Sequence, residues 1–129
     1  VLLSGVGFES GGLSLAHALT RGFSIVPALA AALHGEQVAF GALVQLVVEQ
    51  RPEPEVAELL TLLCAVGLPV TLAQLGLDPT QTEQDVSRIA SATLNGQTSN
   101  LISPPLSQAQ LEAALLRADV IGATALRQA

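Results

Sequence analysis

Fixed charge is almost missing from the first third of this chain, and that limits what it can fold into. Across residues 1–48 only Glu9, Arg21 and Glu36 carry one, whereas nine acids and four bases follow in the remainder. A helix with so little charge on any face is buried all round. The N-terminal third is therefore expected to be covered by something else, either a missing domain or a subunit interface. Self-association through this apolar third is one expected outcome.

The material available for a core narrows the class further. The 129 residues suit one domain, 1–129. Half of them are apolar, yet there are only three Phe and no Trp, Tyr or Met. A core of Leu, Val, Ile and Ala favours closely packed helices, and no alternating strand pattern of useful length occurs. The fold class is all-α, a helical bundle.

The same composition excludes several functions. A net charge of -6 and a total lack of Lys leave nothing to displace counterions from a nucleic-acid backbone, and single strands find no aromatic platforms. The best apolar runs, Phe23 to Leu33 and Val38 to Val48, fall well short of the ~20 residues of a spanning helix, so no membrane partner is expected. No charged segment leads into an apolar start, so no signal peptide is expected either. Cys64 is alone and sits in the apolar run Leu62–Val66, where it reads as a small buried hydrophobe. A cytoplasmic location is expected.

Helix signals punctuate the chain. Leu13 to Leu19 reads as a helix closed by Gly22, with Arg21 in its last turn. Helical structure is expected again after Pro27, and His34-Gly35-Glu36 opens a longer apolar helix reaching about Gln50. Pro52 and Pro54 separate it from a helix with Glu53, Glu55 and Glu58 near its start and Val56, Leu59, Leu60, Leu63 and Val66 on one face. A short helix at Thr71 to Leu75 comes next. Another runs from Thr82 to about Leu94, with Val86, Ile89, Ala90 and Thr93 inward. Ser107 and Gln110 form a capping box, with Leu106 and Leu111 as a staple, at the head of a terminal helix.

Few residues could carry chemistry. Gly5-x-Gly7-x-x-Ser10 hints at dinucleotide binding, but no strand precedes it and no acid follows at the required distance; a tight turn is the better reading. The two histidines, His17 and His34, are candidate metal ligands on adjacent helices, since neutral imidazole suits zinc and a catalytic site takes three protein ligands. Satisfied or surface histidines are the competing reading. Glu36 points to another helix face than His34, and Glu9 is about two turns from His17, so neither is a natural third ligand. Asp85 and Asp119 read as solvated charges, and no nucleophile elbow occurs.

Several segments together resemble glycerol dehydrogenases of the iron-containing alcohol dehydrogenase superfamily. They are Ser4-Gly-Val-Gly-Phe-Glu-Ser-Gly-Gly-Leu13 with Ala16-His17-Ala18, His34-Gly-Glu-x-Val-Ala-Phe-Gly41, Ala65-Val-Gly-Leu-Pro-Val-Thr-Leu-Ala-Gln-Leu75, and Ala113-Ala-Leu-Leu-x-Ala-Asp119. They lie in collinear order over nearly the whole chain. The resemblance implies a helical C-terminal domain paired with an N-terminal α/β domain that binds NAD, with the active site in the cleft between. It implies a metal, zinc in the glycerol branch, held by one Asp and by the residues matching His17 and His34. Phe8 matches a residue near the substrate pocket. The metal polarises the hydroxyl of a glycerol-like polyol while hydride passes to nicotinamide.

Departures from the family pattern fall around these motifs: Ala28 to Leu33 replaces polar and aromatic residues, and Arg21-Gly22 and Asn100-Leu101-Ile102 replace Asn-Gly and Asn-Met-Pro. The NAD-binding domain and the Asp ligand are not within residues 1–129, so this chain alone is expected to be inactive. Iron suits the same imidazoles as zinc. The alternative is a non-catalytic helical module that keeps the fold for self-association or interaction.

Overall fold

The computed structural model describes the backbone of residues 12–94 and 107–128, and their side chains apart from residues 12–14, 17 and 128. All regular structure among them is helical. The elements are α1 (Gly12–Ser24), α2 (Pro27–Ala30), α3 (His34–Val48), α4 (Glu53–Ala65), α5 (Leu72–Leu75), a 3₁₀ turn (Pro79–Gln81), α6 (Thr82–Leu94) and α7 (Gln108–Gln128). The all-α expectation holds. No described helix is long and apolar enough to cross a membrane.

Four helices make a closed ring. α1 packs on α3 and α6, and α7 completes the circuit by packing on the same two partners. Its centre holds Leu19 and Phe23 of α1, Phe40 and Leu43 of α3, Ile89 of α6, and Leu111 and Leu115 of α7, all fully buried. The rings of Phe23 and Phe40 lie 6.1 Å apart at 54°, within the tilted range that aromatic pairs favour. Burying one such side chain stabilises the fold by about 1.5–3 kcal/mol.

The charge-poor third is accounted for largely within the chain itself. Leu15, Ala16, Ala18 and Leu19 of α1 are buried, as are Ala39, Phe40, Leu43, Val44 and Leu46 of α3, and the cover comes from α4, α6 and α7. Charges could be omitted here because these helices form the centre of the bundle. Among the described residues, the uncovered part is the segment from Ile25, 48% exposed, to Leu33, 71% exposed, with Ala28, Ala30 and Ala31 also exposed between them.

Gly22 does not close α1. The helix runs through it to Ser24, and α6 passes so close that a Cβ at residue 22 would lie 2.7 Å from the carbonyl oxygen of Ile89 and 2.2 Å from Thr93 Oγ1. The glycine is there for a helix contact rather than a stop. The segment after Pro27 makes only one helical turn.

The flanking elements follow local rules. α4 leans on α3 through Leu59, Leu60 and Leu63. Val66, expected on that face, caps α4 and is 61% exposed. Cys64, expected buried, is half-buried. Thr71 Oγ1 accepts from the Gln74 amide at 3.1 Å and so caps α5. α6 buries Val86, Ile89, Ala90 and Thr93 as its spacing requires. At the head of α7, Ser107 N donates to Gln110 Oε1 at 2.9 Å and Gln110 N donates to Ser107 Oγ at 3.1 Å, the reciprocal box its sequence calls for. Leu106, the expected staple residue, lies outside the described residues.

Candidate metal centre at the helix pair α1 and α3

The two histidines fall on the most extensively packed helix pair of the fold, α1 and α3. Residue 17 lies midway along α1, between the buried residues Ala16 and Ala18. Small residues bring the two backbones together beside it. A Cβ built at Gly41 of α3 would stand 3.3 Å from both the Cα and the carbonyl oxygen of Ala16. The spacing of the two helices is thus set by backbone contact one residue away from position 17.

His34 is the first residue of α3. It lies seven positions before Gly41, about two turns or ~10 Å along the helix. It is exposed, and the residue beside it, Leu33, is the most exposed large apolar side chain described. An imidazole set in an apolar, uncovered rim at a helix mouth is reachable by a ligand or by a second protein surface.

Glu36, the nearest carboxylate in sequence, has another task. Its Oε1 accepts a hydrogen bond from the Leu33 amide at 2.9 Å, so it secures the start of α3, where a negative charge is also favoured by the helix dipole. Among the described residues, no three His, Cys, Asp or Glu side chains come together as a metal site. The donor chemistry of two imidazoles on a fixed helix pair fits a part of a metal site and needs at least one further protein ligand. Phe8, Glu9 and the glycines at 5 and 7 lie outside the described residues, as does the side chain of residue 17.

Asp85 and Asp119 are structural rather than simply solvated. Asp85 is 8% exposed and faces Arg88 at 3.8 Å. Asp119 Oδ1 accepts from the Leu72 amide at 2.8 Å, so the last helix caps a turn 47 residues earlier. No local pattern announces that bond, because its partner is a backbone amide far away in sequence. The exposed pair Ile25 and Leu33 was also missed, though Leu33 directly before a helix opening was the available signal.

In fold, the chain superimposes on part of the crystal structure of glycerol dehydrogenase from Schizosaccharomyces pombe, with a TM-score of 0.82 and 33% identity over 98% of this chain and 33% of that one. In sequence, it is 42% identical over 126 residues to the glycerol dehydrogenase of Escherichia coli O6:H1, covering 98% of this chain and 34% of the relative. It is 44% identical over 123 residues to that of Pseudomonas putida, covering 93% and 33%. No family model matches the chain. The chain is a homologue of the C-terminal part of glycerol dehydrogenases, and it spans about a third of the length of the curated relatives it matches.

Proposed function

We propose that this chain is the helical C-terminal domain of a metal- and NAD-dependent polyol dehydrogenase acting on glycerol or a close analogue. In this reading residues 1–129 are one domain, His17 and His34 are two ligands of the catalytic zinc, and Phe8 borders the substrate pocket. The NAD-binding α/β domain and the Asp ligand correspond to the two thirds of the relatives that these residues do not match. The observation that carries the proposal is homology over nearly the whole chain, with residue 17 and His34 borne by helices locked together at Ala16 and Gly41.

The protein's own contribution is placement. Helices held by backbone contact vary little in spacing, which preorganises the groups they carry. The imidazole of His34 at the start of α3 is a nitrogen donor of the kind that binds zinc. Leu33 and Ile25 supply an apolar rim that excludes water once another domain covers it. A bound zinc supplies Lewis acidity toward the substrate hydroxyl. The hydride acceptor sits on the other domain, so the chain alone turns over no glycerol.

Equilibrium dialysis of zinc against the purified chain tests this, beside His17→Ala and His34→Ala. Weak binding that disappears in both variants is the expected result, and a glycerol-dependent NADH signal should be absent from all three. Zinc binding unchanged in both variants, or robust turnover by the chain alone, would overturn the reading. Iron in place of zinc leaves the ligand roles as they are. The non-catalytic module reading gains no support from the comparisons, whose relatives over 93–98% of this chain are named glycerol dehydrogenases.

A further inference from the structure

The segment that leads into α3 holds no polar side chain. From Ile25 to Leu33 it reads Ile-Val-Pro-Ala-Leu-Ala-Ala-Ala-Leu, so none of its own side chains can hold its backbone. Local backbone bonds do part of that work. The Leu29 and Ala30 amides donate to the Val26 carbonyl at 2.9 Å, and the Ala32 amide donates to that of Leu29 at 3.0 Å. The first turn of α3 then holds the segment from two sides. On the exposed side Glu36 takes the Leu33 amide. On the buried side Gln37 Nε2 donates to the Leu29 carbonyl at 3.0 Å.

Gln37 is 4% exposed. Burying an amide has a desolvation cost that its hydrogen bond roughly offsets, and an apolar side chain of similar size would fill the site without that cost. What the amide adds is geometry. Its bond closes a loop that runs from Leu29 through the three alanines and Leu33 into the first turn of α3, and His34 lies on that loop. The Leu29 side chain is fully buried, so the far end of the loop is anchored in the core. Gly76, just after α5, sits against the same segment: a Cβ there would stand 2.8 Å from the Ala28 carbonyl oxygen. The backbone that carries the exposed His34 is therefore held from within the bundle.

We propose that Gln37 is a positioning residue for His34, keeping the exposed imidazole in one place by closing the loop that bears it. The inference rests on the reading of His34 as a zinc ligand. Gln37 acts through the backbone, and the start of α3 is secured separately by Glu36.

Zinc affinity by equilibrium dialysis and amide exchange, both measured on the whole chain, test it. Gln37→Met keeps the length of the side chain and removes the donor. It should weaken zinc binding about tenfold and speed exchange at Ala32, while exchange at Leu43 in the middle of α3 stays at the wild-type rate. Ala31→Gly loosens the loop at an exposed position and should weaken zinc binding about threefold. That variant leaves the core untouched, so it decides the matter even if Gln37→Met fails to fold. Ile89→Val, a truncation in the ring core on α6, should lower the unfolding midpoint and leave zinc affinity unchanged. Wild-type zinc affinity in folded Gln37→Met or in Ala31→Gly would overturn the inference and leave the ligand reading standing. So would wild-type exchange at Ala32 in Gln37→Met. An equal loss of zinc in Ile89→Val would overturn it as well, since the effect would then be one of general stability. A wild-type chain that binds no zinc would overturn the ligand reading and this inference together.

Discussion

The four-helix ring and the fifth long helix, α4, differ in what their sequences permit. α3, inside the ring, has a single acid and buries residues on nearly every side, including Gln37 and Gln45. α4 begins with Glu53, Glu55 and, a turn on, Glu58, and buries only Leu59, Leu60 and Leu63. Both helices are rich in apolar residues. What separates them is the distribution of charge and of small residues. Gly22 and Gly41 let ring helices approach to backbone contact, whereas α4 meets its neighbours through leucines and stands off from α7. Close approach fixes a geometry, and the histidines lie in that part of the molecule. The stand-off leaves a surface between α4 and α7.

The comparison breaks or sharpens by substitution. Phe40→Ala empties a fully buried site in the ring and should cost about 3–5 kcal/mol. Leu62→Ala on the outer side of α4, 37% exposed, should cost about 1 kcal/mol or less. Urea unfolding monitored by circular dichroism measures both, and similar losses would mean that α4 is as central as α3. An intermediate effect belongs to the tie between α7 and α5. Asp119→Ala removes the acceptor for the Leu72 amide and should cost about 1–2 kcal/mol. Amide exchange at Leu72 should accelerate well before that of residues in α1.

The smallest effect lies outside the ring, at the 3₁₀ turn. The Thr80 amide, and then the Thr80 hydroxyl, hold the Asp78 carboxyl below its ordinary value of 3.8. A lowered folded-state value means that the contribution is fully present above 3.8 and is lost as pH falls through the folded-state value. Asp78→Asn should therefore flatten a shallow decline in the unfolding midpoint at acid pH and leave the neutral midpoint nearly unchanged. An equal decline in the variant would assign the slope to other carboxylates.

How much of this was legible depends on the range of each interaction. α6 was readable because its inward residues repeat with the helix period, and the head of α7 because its capping partners sit three residues apart. The burial of α3 was readable from its lack of charge, but the identity of its cover was not, since α6 and α7 come much later in the chain. Gly22 was misread because a glycine that stops a helix and one that admits a neighbouring helix look the same in sequence. For the candidate site, the position of His34 at a helix opening was legible. That Glu36 would be used by the Leu33 amide was not, although its position in the first turn of a helix permits it.

The bond from Asp119 to Leu72 also bears on the order in which the chain folds. Chains emerge from the ribosome N-terminus first at ~5–20 residues per second. The carboxylate that caps α5 is made 47 positions after the amide it binds, and among the described helices α7, with α1, packs on both α3 and α6 and so closes the ring. Until α7 is released, α5 lacks a partner at its first amide and the ring stays open on one side, with Phe40 and Leu43 facing whatever is nearby. For several seconds of synthesis the most apolar third of the chain thus lacks the cover that α7 gives it.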